Sequence, residues 1–103
     1  LKARTQTAAC YRLYVLAGGT PLRPGMVRDE QYGRTIEIEV WSIPTDQFGS
    51  FVAAIPAPLG IGKVELADGH RVNGFICEGS GLSNAEEITH LGGWRHWLQL
   101  SAT

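Results

Sequence analysis

Two groups of residues in this sequence have the types and spacing to hold a small anion. The first is the run Pro58 to Lys63, PLGIGK. Gly60 and Gly62 leave the backbone uncovered there, and Pro56 and Pro58 stiffen it. N–H groups of Gly60, Ile61, Gly62 and Lys63 can approach an anion closely, held in place before it binds. Lys63, one of the chain's two lysines, adds a positive charge. The second is Arg28, which ends PGMVR and offers a planar fork that suits a carboxylate. Plainer alternatives stand beside these: a stiff connector for the loop, a solvated strand residue for Lys63, and surface pairing with Asp29 or Glu30 for Arg28. The expected ligand site lies where Pro58 to Lys63 meets Arg28, because loops of a curled sheet can gather at one end.

Other candidates carry less. Glu37 and Glu39 share a strand face, about 7 Å apart by strand rise. They could do acid–base work if that face lined a cavity, but an exposed sheet face explains them equally well and is preferred. Arg12 has the chemistry of Arg28 on a more buried strand, which suits a structural ion pair. His70 follows a hairpin turn, and His90 and His96 flank Gly92-Gly93-Trp94, where capping or packing accounts for them. Tyr11 and Tyr14 read as core. No CxxC, HExxH or paired-histidine spacing is present, so no metal site is expected.

The elements that position these residues follow from periodicity and turn chemistry. Residues 1–8 are polar and read as a lead-in. Ala9 to Ala17 is a strand apolar on both faces, hence interior. Gly18 to Gly25 is a loop, Met26 to Arg28 a short extended piece, and Asp29 to Gly33 a turn. Arg34 to Ile43 alternates, with Ile36, Ile38 and Val40 toward the core. Phe48, Phe51, Val52 and Ile55 form one apolar helical face, with Pro44 in the first turn and Pro56 ending the helix. Asp68-Gly69 is a two-residue hairpin turn flanked by strands Ile61 to Ala67 and His70 to Glu78. Ala85 to Thr89 reads as a short helical turn, and Trp94 to Leu100 as a C-terminal helix anchored by its tryptophans. The fold class expected is α+β: a predominantly β, mixed, barrel-like sheet with one main helix packed on it and a short C-terminal helix.

With 103 residues, 44% of them hydrophobic, the chain is expected to be one domain, residues 1–103, around one core. Its net charge of −1 gives no basic excess for nucleic acid, and its apolar runs are too short to span a membrane. Cys10 and Cys77 are expected to be free, buried thiols rather than a disulfide.

The strings YRLYVLAGGTPLRPGMVR, IEIEVWSIPTDQFGSFVAAIPAPLGIGKVELADGHRVNGFICE and EITHLGGWRHWL resemble the C-terminal domain of allophanate hydrolase. FVAAIPAPLGIGKVELADG is the most specific part, and the likeness runs from Tyr11 to Leu98. The resemblance implies a fold like that of gamma-glutamylcyclotransferase. It also implies a role beside an amidase domain in urea and allophanate breakdown: decarboxylation of N-carboxycarbamate, a small carboxylate substrate, without metal or organic cofactor. A cytoplasmic location follows from that pathway, and an oligomer is left open. Nothing here resembles the amidase itself, so this domain alone is not expected to hydrolyse allophanate. In the family a Gly-Ala-His-Leu-like first strand precedes the matching stretch. It is absent here, so the catalytic residue is unknown, and His70, His90 and His96 do not inherit its role. Pro56 falls where a cyclotransferase has its general-base glutamate, which argues against that activity. The alternatives are a non-catalytic structural or oligomerisation domain supporting the amidase, and a stand-alone small-molecule binding protein.

Overall fold

The computed structural model describes residues 2–19 and 21–101. Its elements are β1 (Ala3–Gln6), β2 (Tyr11–Val15), β3 (Pro24–Arg28), β4 (Glu37–Val40), α1 (Thr45–Ala53), β5 (Leu59–Glu65), β6 (Arg71–Cys77), β7 (Glu86–Glu87) and α2 (Trp94–Ser101). Single 3-10 turns lie at Gly79–Leu82 and Thr89–Leu91.

β2 is the spine, as its two apolar faces suggested. One face joins Tyr11, Leu13 and Val15 to Met26, Ile36, Val64 and Ile88, and the other joins Tyr14 and Leu16 to Cys77. Arg12 is its one half-exposed residue. β2 pairs antiparallel with β3 on one side and β7 on the other. β1 pairs with β4, and β5 with β6.

Among the described residues these strands form three separate antiparallel sheets and do not close into a barrel. The chain between β1 and β2 shows why. Thr7 N–H donates to Ile36 O at 2.9 Å, and Ala8 N–H to Glu65 O at 2.9 Å. The backbone changes partner from residue to residue there, so single bridges, including Thr7 to Leu66 and Tyr11 to Arg34, replace a continuous ladder.

Three further expectations are corrected. The polar lead-in contains a strand, β1, held by main-chain pairing with β4 rather than by apolar side chains. Glu86–Glu87 is a strand edge on β2, not a helical turn. The main helix is not buried: α1 has no buried residue, and its exposed Phe51 meets Phe75 edge-on at 5.8 Å. The hairpin and α2 are where periodicity put them. The turn itself is one residue longer than expected: Leu66 N–H donates to His70 O at 2.7 Å, so the loop is Ala67, Asp68 and Gly69, with Gly69 at φ +91° in the left-handed position that closes a three-residue hairpin. Trp94 and Trp97 stack at 4.8 Å. Cys10 and Cys77 are both free and buried, and burial raises both thiol pKa values.

Candidate functional site

The stretch expected to be a glycine loop is mostly strand. β5 begins at Leu59, so Gly60, Ile61, Gly62 and Lys63 lie in a seven-residue ladder with β6. Glycine serves closeness here rather than flexibility. A Cβ on Gly62 would meet Ile76 Cδ1 at 2.5 Å, and one on Gly74, its cross-strand partner, would meet Val64 Cγ2 at 2.7 Å. Side chains fold over these two positions.

The phase of the ladder decides which N–H groups are available. Leu66 N–H donates to His70 O at 2.7 Å, and Glu78 N–H to Pro58 O at 2.9 Å. Antiparallel pairs alternate between bonded and non-bonded, so these two bonds turn the N–H groups of Gly60 and Gly62 toward β6. Those of Ile61 and Lys63 point away from it. In the same phase, Glu65 N–H reaches across to the Tyr11 hydroxyl at 2.9 Å.

Arg28, at the end of β3, does not meet Lys63. Its Nε donates to Glu30 at 2.7 Å, its Nη2 to Glu65 at 3.1 Å, and its guanidinium lies 5.8 Å from the Tyr11 ring centre. These two carboxylates raise its pKa further above the ordinary arginine value. Glu65 in turn touches Arg71 at 3.5 Å, so Arg28 connects to the hairpin through a carboxylate.

Lys63 instead lines an open cleft of about 610 Å³ between the β5–β6 hairpin, the end of β4 and the start of α1. Lys2, Arg71 and Asn73 line it with Lys63, opposite Trp41, Ser42, Thr45 and Phe48, and among the described residues no carboxylate does. Lys63 Nζ donates to Asn73 Oδ1 at 2.5 Å. Lys2 arrives because β1 pairs with β4: its N–H donates to Val40 O at 2.7 Å. Both lysines of the chain therefore line one cleft. The volume falls within the usual range for small-ligand sites.

Lys2, Trp41 and Arg71 were not expected at the site. The expected two-residue turn at Asp68-Gly69 carried no correct signal for Arg71: counting outward from it sets Leu66 opposite Arg71 and Lys63 opposite Gly74, whereas the observed register sets Glu65 opposite Arg71 and Lys63 opposite Asn73. No local signal placed Lys2. Glu37 and Glu39 lie on an exposed face, where Glu37 shares a 2.8 Å hydrogen bond with His96 and Glu39 pairs with Arg4 and Arg95 at 3.4 Å each. His70 pairs with Asp68 at 3.0 Å, which raises its pKa. None of the three histidines lines the hairpin cleft. Among the described residues, no group of three or more His, Cys, Asp or Glu side chains is placed to hold a metal ion.

A model described as the allophanate hydrolase C-terminal domain matches residues 1–99. Urea amidolyase of Saccharomyces cerevisiae is 41% identical over 100 residues, covering 93% of this chain but 5% of its own length. The solved allophanate hydrolase of Kluyveromyces lactis superposes with a TM-score of 0.89 at 40% identity, over 94% of this chain and 16% of that one. A uropathogenic E. coli-specific protein superposes at 0.83 with 35% identity, over 93% of this chain and 73% of its own. The chain thus spans a small part of the yeast relatives and most of the bacterial one.

Proposed function

This chain belongs to the family of allophanate hydrolase C-terminal domains, and from that premise we propose that it removes carbon dioxide from N-carboxycarbamate after an amidase has acted on allophanate. The observation that carries this reading is the hairpin cleft, lined by Lys2, Lys63 and Arg71 and, among the described residues, by no carboxylate. Such a setting suits a small dicarboxylate. One carboxylate is held by the cations, with Asn73 beside them. The scissile one rests toward Trp41, Phe48 and Val72, where less water solvates it. The C–N bond breaks, its electron pair stays on nitrogen, and nitrogen takes a proton as carbon dioxide leaves carbamate behind. No side chain of this sequence is assigned as the proton donor.

Within the expected set, Lys63 binds directly. Ile61 and Lys63 keep the N–H groups that the ladder leaves over. Gly60 and Gly62 shape the hairpin. Arg28 is a positioning residue, steadying Arg71 through Glu65. The reading carries with it the cyclotransferase-like fold, an amidase domain as partner, a cytoplasmic location, and a reaction without metal or organic cofactor.

The test generates N-carboxycarbamate in place with a separate amidase domain and follows carbon dioxide with and without this chain. The chain should speed its release. Lys63→Gln combined with Arg71→Gln should abolish most of that acceleration. The same pair should weaken binding of malonate, a stable dicarboxylate mimic, roughly tenfold to a hundredfold, the worth of a hydrogen bond to a charged group. Unchanged release in the double variant would overturn the site. One observation favours a second reading, a non-catalytic domain supporting the amidase: Phe51 and Phe75, in edge-on contact, are 38% and 48% exposed. That reading expects no acceleration from the parent chain.

A further inference from the structure

A second cleft, of about 410 Å³, is lined by Arg12, Tyr32, Arg34, Glu87, Thr89 and His90. It shares no lining residue with the hairpin cleft. Its back wall is a fixed ion cluster. Arg12 Nε and Nη2 donate to the two oxygens of Glu87 at 2.8 and 2.5 Å, and Nη1 to Asp29 Oδ2 at 3.2 Å. Thr89 Oγ1 also donates to Glu87 Oε2 at 2.8 Å. The other oxygen of Asp29 accepts the N–H groups of Gln31 and Tyr32, both at 2.9 Å. Each carboxylate therefore accepts three hydrogen bonds, while Arg12 keeps one unused N–H on each of Nη1 and Nη2.

In front of this wall stand groups with nothing to bind. Among the described residues, the Arg34 guanidinium and the His90 imidazole make no hydrogen bond or ion pair. The Arg34 backbone is nonetheless pinned: its N–H donates to Tyr11 O at 2.8 Å and its carbonyl accepts Tyr11 N–H at 3.3 Å. A guanidinium on an anchored backbone, facing a donor-rich wall, keeps its full fork for a ligand. Tyr32, 63% exposed, adds a hydroxyl and an aromatic face at the rim. Charge then chooses the class of ligand. Arg12 and Arg34 are balanced by Asp29 and Glu87, so no surplus of positive charge awaits a dianion. We propose that the cleft between the 29–33 turn and the Glu87–His90 segment binds a small, singly charged carboxylate, gripped bidentately by Arg34 with His90 and the spare donors of Arg12 beside it. This is separate from the decarboxylation reading and does not rest on it.

The test titrates the 103-residue chain with acetate and, separately, with malonate, following the His90 ring and the Arg34 and Lys63 amides by NMR. Acetate should shift the His90 and Arg34 signals saturably, and should do so equally in Lys63→Gln. Arg34→Gln should weaken acetate at least fivefold, with circular dichroism confirming its fold. Were that variant not to fold, His90→Gln carries the same criterion. Non-saturable shifts at His90 in the parent, or a loss below fivefold in the folded variant, would overturn the proposal, whatever malonate does at Lys63.

Discussion

The two clefts use similar cations in opposite ways. In the hairpin cleft, the exposed Lys2 and Lys63 line the wall, and among the described residues Lys63 Nζ bonds the neutral Asn73. In the Arg34 cleft, one arginine is spent on two carboxylates to build a wall, and a second is left free in front of it. The first arrangement leaves the two lysines without a carboxylate partner among the described residues, favours a multiply charged ligand and adds little to folding. The second is charge-balanced and ties the turn at Asp29 to β7 through β2, so it contributes to the fold while offering a single fork. Charge compensation, more than the count of basic residues, separates a site for a dianion from one for a monoanion.

That contrast can be broken most sharply at Thr89, which lies 7% exposed behind the Arg34 cleft. Its hydroxyl accepts Leu13 N–H at 3.0 Å while donating to Glu87. Thr89→Val leaves a buried N–H unsatisfied and should cost about 1–3 kcal/mol by urea unfolding. A cost below about 0.5 kcal/mol would mean that the wall is not structural.

Acid sharpens the same comparison. Glu87 has its pKa lowered first by Arg12, and Asp29 first by the Tyr32 N–H, with Arg12 contributing to both. Folded values below the unfolded ones mean that the stabilisation is fully present above the ordinary carboxylate range. It is lost as pH falls through the folded values. The melting temperature of the parent should therefore drop more steeply below about pH 4 than that of Glu87→Gln. Parallel curves would show that the triad adds nothing.

The smallest effect is expected in the hairpin cleft. Lys2→Gln and Lys63→Gln should each leave stability within about 0.5 kcal/mol, as surface substitutions do. Malonate affinity of the parent should weaken with added salt, since exposed charges are screened within about 10 Å at 0.1 M. A marked loss of stability from either lysine would erase the distinction between the clefts.

Much of this architecture was legible in the sequence. A run apolar on both faces marked β2, period-two alternation marked the inward Ile36, Asp-Gly marked the hairpin, and spaced tryptophans marked α2. The string FVAAIPAPLGIGKVELADG carried the family. What misled was composition standing in for conformation. Gly60 and Gly62 suggested a loop, whereas Gly62 sits beneath Ile76 inside a ladder. The apolar stripe of α1 suggested burial, and the helix instead leans half-exposed on the hairpin.

The sequence alone settled part of what is local: that the chain reverses at Asp68-Gly69, that residues 34–43 alternate, and which face of an element is apolar. Side-chain periodicity and positive φ are properties of a few neighbouring residues. Pairing partners are not. Every residue but proline carries the same backbone donor and acceptor, so nothing in Lys2-Ala3-Arg4-Thr5-Gln6 names β4 as its mate. Only the folded chain could bring Lys2 to Lys63, set Glu86 and Glu87 on the edge of β2, and thereby hold Arg12 fast while Arg34 stays free.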